Sequence, residues 1–288
     1  MEKILITGAT GNVGMEVLQS LTNLNHNYQV YSGVRNVQAD KQKLENFNAQ
    51  LIQFDFTNCD SFQPALNDID ILFLLRPPQI SQVQKYFKPL IDSAVKNEVK
   101  HIVFLSVQGV QNSSIIPHHK IERLIVESKI PYTFLRPAYF MQNFTTTLHN
   151  DLKTKNKIYL PAGNAIFTLV DVTDIGEVAA IILTETVHHR NQCYELTCNK
   201  KLTFTEMALK LSEGLGKTIA YESPNLISFF LTKKKEKMPT MQILVMIMLH
   251  YFPQFQKEPN TTDCIANILN KQPKDFDQFI FENQDNLC

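Results

Sequence analysis

The chain has 288 residues with 28 basic and 28 acidic side chains, so its formal charge is zero, and 44% of its residues are hydrophobic. That composition is globular, allows a sizeable core, and leaves no net field to draw nucleic acid or a membrane. Five scattered cysteines make no disulfide framework, Met1 leads straight into an apolar run with no room for a signal peptide, and the longest apolar stretch, around 243–249, is too short to span a bilayer. A cytoplasmic protein is the expectation, with neither nucleic acid nor membrane as a partner.

Residues 3–7 form a short apolar, β-branched run, and Gly8, Gly11 and Gly14 follow at once. From Val13 apolar residues recur at helical spacing through Val17, Leu18, Leu21 and Leu24. The pattern predicts a buried strand, a tight turn and a helix whose first N–H groups face back toward the strand's end, where phosphate is attracted. One glycine turns the chain, one lets the backbone approach a pyrophosphate, and one lets the helix pack on the sheet. Gly8, Thr10, Gly11, Asn12, Val13 and Gly14 are therefore expected to hold a dinucleotide.

Residues 29–34 read as the second strand, and Arg35 follows. An NAD site usually places an acid here for the ribose hydroxyls, but none appears before Asp40. Arg35, one of five arginines beside 23 lysines, can instead fork onto a 2′-phosphate, which favours NADP(H) over NAD(H). Residues 51–54 make the third strand. At its exit Asp55 and Phe56 are placed to meet adenine, with capping of the helix near Ser61 an equal alternative for Asp55. Residues 69–75 are a wholly apolar fourth strand, as in a parallel sheet covered on both faces. Leu75, Arg76 and Pro77 end it at the C-terminal edge, where ligands of open α/β sheets bind.

A helix over about 81–97 leads to the fifth strand, 100–106, whose last residue, Ser106, is expected beside the nicotinamide. Pro117 starts a helix carrying His118, His119, Lys120 and Glu122, and 132–136 is the sixth strand. Strands alternating with helices through residue 144 give an α/β fold, a Rossmann-type doubly wound parallel sheet. Beyond it, 157–160, 166–170 and 194–197 read as short strands. Thr173 is read as the cap of a helix reaching Leu183, and Thr203 with Glu206 as a capping box. The last seventy residues read as helices with loops. The expected division is a cofactor domain over 1–156 and a smaller, mostly helical substrate-capping region over 157–288, interleaved with it.

Several stretches together resemble the NmrA-like family: 8–14, 104–106, the His118 and Glu122 pair, 132–137, 139–144, 169–176, 194–197 and 202–205. The resemblance covers nearly the whole chain. It implies an atypical short-chain dehydrogenase/reductase with an NAD(P)-binding Rossmann fold. It also implies that the turn after the sixth strand, Pro137, Ala138, Tyr139, Phe140 and Asn143, lines the nicotinamide. Members of that family include NADPH-dependent quinone reductases, azo-dye reductases, reductases of ergot-alkaloid iminium intermediates, and a regulator that binds dinucleotides without turning them over.

The chemistry beyond the cofactor is sparse. No Tyr-x-x-x-Lys pair follows Ser106, and Tyr132 with Arg136 lies on a strand, where residues four apart are not one helical turn apart. His118 takes roughly the tyrosine's place, as a proton donor whose ring Glu122 would hold one turn on, with a plain surface histidine as the alternative. Quinone or iminium reduction needs little acid help, because the cofactor carries the difficult step. The expectation is an NADPH-dependent reductase that passes hydride to a small, flat, electron-poor acceptor, the C-terminal helices closing over it. The alternative is a non-catalytic, NADP-binding redox sensor of a partner protein. His188, His189, Cys193 and Cys198 match no usual zinc spacing, so no metal is expected. Residues 232–237 read as a solvated lysine loop, and Met238, Met241, Met246 and Met248 as core packing or one wall of an apolar pocket. The sequence does not fix the oligomeric state, whether monomer or homodimer.

Overall fold

The structure is a computed structural model that describes residues 1–287. In chain order the first half holds β1 (Glu2–Ile6), α1 (Asn12–Asn23), β2 (Tyr28–Val34), α2 (Val37–Leu44), β3 (Gln50–Gln53), α3 (Phe62–Leu66), β4 (Ile71–Leu75), α4 (Val83–Lys96), β5 (His101–Leu105), α5 (Pro117–Ser128) and β6 (Tyr132–Pro137). Then come β7 (Tyr139–Phe140), α6 (His149–Lys155), β8 (Lys157–Tyr159), β9 (Ile166–Val170), α7 (Val172–Thr184), β10 (Gln192–Leu196), β11 (Lys201–Thr203), α8 (Phe204–Leu215), β12 (Ala220–Glu222), α9 (Leu226–Lys235) and α10 (Thr240–Tyr251). Three short helices close the chain: α11 (Cys264–Leu269), α12 (Phe276–Glu282) and α13 (Gln284–Leu287).

Two compact units divide these elements. The first takes residues 1–137, 172–196 and 264–271. Its seven-stranded sheet has the order β10-β6-β5-β4-β1-β2-β3, and every neighbouring pair is parallel. Strands paired this way are covered on both faces, which is why β4 is buried from Ile71 to Leu74 and β5 along its whole length. On one face Leu5, Leu72, Phe104 and Phe134 pack with Phe62 of α3, Phe87 of α4 and Ile121 of α5. The alternate strand residues point the other way, where α1 and α7 lie against each other. Gly176 permits that approach, since a Cβ there would stand 2.7 Å from the backbone of Glu16. The strand order reverses at β1, between β2 and β4, so the glycine turn leaves the sheet at its switch point.

The second unit takes residues 138–171, 197–263 and the segment from 272 on. It has a three-stranded sheet, β11-β9-β7, with β11 antiparallel and β7 parallel to β9, and a two-stranded parallel sheet, β12-β8. Around them Phe144, Phe167, Phe204, Phe229, Phe276 and Phe279 build a core of their own. The capping box expected at Thr203 and Glu206 opens α8.

Three local expectations are corrected. Leu24 follows α1 as its C-cap and is 39% exposed, so the buried face of that helix stops at Leu21. Thr173 lies inside α7, which begins at Val172. Residues 232–235 are the last turn of α9 rather than a solvated loop, and Lys233 is only 4% exposed. Its ammonium sits 2.5 Å from Asp151 and 2.9 Å from Glu236, while Lys155 joins both acids, which closes a ring of four charges. The methionine stripe also splits: Met246 is buried and Met238 packs on the core, whereas Met241 and Met248 face solvent. Among the described residues no helix is long and apolar enough to cross a membrane.

Candidate functional site

The glycine turn divides its labour as the spacing implies. Gly8 has φ +65°, a left-handed conformation that turns the chain off β1. Gly14 is buried, and a Cβ there would overlap the carbonyl of Gly8 and stand 2.9 Å from Ala9 Cα, so α1 can pack on the turn only with glycine here. Gly11 is exposed, and a Cβ on it would meet nothing but the Gly8 carbonyl at 3.4 Å, which leaves open space over the backbone. Gly11 also caps α1 without any side-chain hydrogen bond, and the helix's first turn, starting at Asn12 and Val13, contains no acid. An uncapped helix start beneath an open glycine attracts an anion. Thr7 pins the base of the turn: its hydroxyl donates to Phe73 O at 2.9 Å and accepts from Leu75 N at 3.0 Å.

At the end of β2, Arg35 is exposed, and among the described residues no acid pairs with it. Asn36 caps α2 by accepting from Gln38 N and Ala39 N, both at 3.1 Å. From the same helix Lys43 donates to the carbonyl of Thr10 at 2.6 Å, which brings a second cation to the rim of the glycine turn. Nothing in the spacing singles out Lys43; only the packing of α2 beside the turn does. Asp55 caps no helix: its Oδ1 accepts from the N–H and hydroxyl of Thr57, both at 2.8 Å. Phe56 is 6% exposed and packs edge-on to Phe54, so only its backbone is left to a nucleotide.

Arg76, at the end of β4, donates to the carbonyls of Pro77, Pro78 and Ile80 and through Nε to His118 Nε2 at 3.3 Å. No carboxylate is among these partners, and burial lowers the guanidinium's pKa. His118 accepts that bond, so its Nε2 is unprotonated; burial first, then the Arg76 charge, push its pKa down to about 3. The ring lies over Phe104, with centroids 6.1 Å apart. Glu122 does not hold it. That carboxylate instead grips Arg136 in a bidentate pair at 3.0 and 2.7 Å, tying α5 to β6. Ser106, the residue after β5, is 2% exposed, and its hydroxyl has no partner in the protein. An orphaned hydroxyl at the sheet's C-terminal edge fits a ligand group there. Pro137 ends β6 and accepts from Gln108 N at 2.9 Å.

In the second unit Ala138 is buried and Tyr139, Phe140 and Asn143 are partly buried. The Tyr139 hydroxyl lies 3.1 Å from His250 Nε2, and His250 Nδ1 donates to Met246 O at 2.6 Å. Burial raises the tyrosine's pKa and lowers the histidine's to about 4, so the tyrosine is the donor in that bond. His250 lies 111 residues further along the chain, and no motif announces it. Among the described residues no group of three or more His, Cys, Asp or Glu side chains is gathered to hold a metal.

The sequence model of the NmrA-like family matches residues 1–280. The chain is 27% identical over 290 residues to a protein of Dictyostelium discoideum named prestalk A differentiation protein A, covering 99% of this chain and 94% of that one. It is 28% identical over 278 residues to an NAD(P)H azoreductase of Xenophilus azovorans, covering 94% and 92%. Among solved structures, an NADPH-dependent quinone oxidoreductase of Escherichia coli complexed with NADPH superposes with a TM-score of 0.87 at 22% identity, covering 97% of this chain and 99% of that one. At that identity the likeness speaks for the fold.

Proposed function

The chain belongs to the NmrA-like family, and from that premise we propose that it is an NADPH-dependent oxidoreductase that transfers hydride to a small electron-poor acceptor, such as a quinone, an azo compound or an iminium ion. The observation that carries the reading is the glycine turn at the switch point, with an uncapped α1 beneath it and an unopposed Arg35 beside it. The turn suits a pyrophosphate, and Arg35 with Lys43 supplies cations for a 2′-phosphate. When bound, NADPH supplies the hydride. Leu75, Arg76 and Pro77 border the cofactor at the sheet edge, and Asp55 and the backbone of Phe56 stand by the adenosine. The Ser106 hydroxyl offers one hydrogen bond to the reacting end. In the second unit Ala138, Tyr139, Phe140 and Asn143 are the residues that the family resemblance assigns to the nicotinamide.

His118 stays neutral at physiological pH, so any proton it gives to a reduced acceptor is the one on Nδ1, the nitrogen that Arg76 leaves free. A neutral imidazole is a weak acid, which suits acceptors that take hydride without prior protonation. The named azoreductase relative supports this class of acceptor. The Dictyostelium relative's name refers to differentiation rather than to a reaction and favours the second reading, a dinucleotide-binding regulator. NADPH oxidation followed by absorbance against quinones, azo dyes and cyclic iminium ions separates the two. Sustained turnover on one class is expected; tight NADPH binding with no turnover on any of them overturns the enzyme in favour of the regulator.

A further inference from the structure

We propose that the outward face of the α9–α10 hairpin docks on an anionic lipid bilayer, lying at headgroup depth rather than crossing it. The twelve residues of α10 include no Asp, Glu, Lys or Arg. Ile243, Met246 and His250 turn inward and are buried. On the other side Met241 is 67%, Leu244 47% and Met248 44% exposed, and Phe252 and Phe255 continue the line at 52% and 71%. Spacings of three and four residues put these side chains on one stripe. A helix that is apolar all round is ordinarily covered on every side, and an apolar patch of this kind marks an interaction surface.

The charge around the stripe identifies what covers it. On α9 the exposed Ile227 and Leu231 are followed at the same helical spacing by exposed Lys234 and Lys235. Lys234 donates to Thr240 Oγ1 at 3.1 Å, so this basic end lies against the start of α10. Lys237, in the connecting turn, is exposed as well. The single acid between residues 226 and 255 is Glu236, and its carboxylate is engaged by Lys155 and Lys233. The outward face is thus apolar and cationic although the chain's total charge is zero, so this face departs from the expectation of no membrane partner that the net charge gave. A second copy meeting this face symmetrically would set lysines against lysines with no acid on the face to answer them. An anionic leaflet answers both features, taking Met, Leu and Phe into the acyl boundary about 5–10 Å deep and the ammonium groups among its phosphates.

Flotation of the full chain with vesicles of phosphatidylcholine, alone or mixed with phosphatidylglycerol, tests this. Binding is expected only with the anionic vesicles, and raised salt should weaken it. Lys234→Ala with Lys235→Ala should weaken it on the order of tenfold, and Met241→Glu with Phe255→Glu should abolish it. All four side chains are exposed, so the variants should keep the wild-type melting curve. Absence of binding to anionic vesicles, or binding indifferent to both pairs of substitutions, overturns the proposal. So does a dimer in sedimentation that Met241→Glu splits, which would assign the face to a second copy.

Discussion

In the proposed reading, Arg35 is the residue on which the choice between NADPH and NADH turns. It stands exposed at the end of β2 with no acid against it, so nothing in the protein competes with a phosphate for its fork. Arg35→Ala should weaken NADPH binding by about 2 kcal/mol, roughly thirtyfold, while NADH binding changes little. Calorimetric titration with both cofactors measures this, and equal losses would remove the 2′-phosphate role. Gly8, Gly11 and Gly14 were legible in the sequence because each answers a local demand: a positive φ, an open approach, a close packing contact. Lys43 was not, because its reach to Thr10 depends on where α2 lies. The partner of Glu122 was misread for the same kind of reason. Spacing along α5 favoured His118, whereas Arg136 comes from the neighbouring strand and offers two charge-assisted hydrogen bonds.

Among the elements, α9 departs furthest from its sequence reading. A run of lysines looks solvated, yet Phe229 and Lys233 are four residues apart on the inward side of this helix, and both are buried. The ammonium is tolerated there because Asp151 and Glu236 meet it. Lys233→Met should destabilise the fold by about 2–3 kcal/mol, less than the ~3–5 expected for a lone buried pair because Lys155 still serves both acids. The ring also sets a pH dependence. Burial pushes the Asp151 carboxyl up, but Lys155 and Lys233 outweigh it and hold the pKa below the ordinary 3.8. A lowered carboxylate pKa adds stability above its unfolded value and loses it as pH falls through the folded one. The contribution is therefore complete at pH 5 to 7 and declines as pH falls below about 4, and in Lys233→Met, whose Asp151 carboxyl is held down less strongly, that acid-induced decline should be smaller. Thermal melts by circular dichroism between pH 7 and pH 3 measure both effects; identical curves for the two proteins would show that the ring carries no stability. The Thr203 capping box, by contrast, was fully legible, since both of its partners lie within one turn of chain.

At the scale of the molecule, the parallel sheet was readable because its apolar runs alternate with amphipathic helices and end in glycine or proline. The placement of β10 and α7 was harder to read, because residues 172–196 return to the first unit after the chain has left it. The second unit is assembled from three separated stretches around a phenylalanine core, so no single window of sequence displays it. What the whole chain is proposed to do is move a hydride, and one labelling experiment addresses that act directly. The protein would be incubated with NADPH carrying deuterium on one face of C4 and with a cyclic iminium acceptor, and the product weighed by mass spectrometry. One deuterium is expected on the acceptor's carbon, from one face of the cofactor only. Product left unlabelled by both C4-deuterated epimers of NADPH, or tightly bound NADPH with no acceptor of any of the three classes reduced, would contradict it.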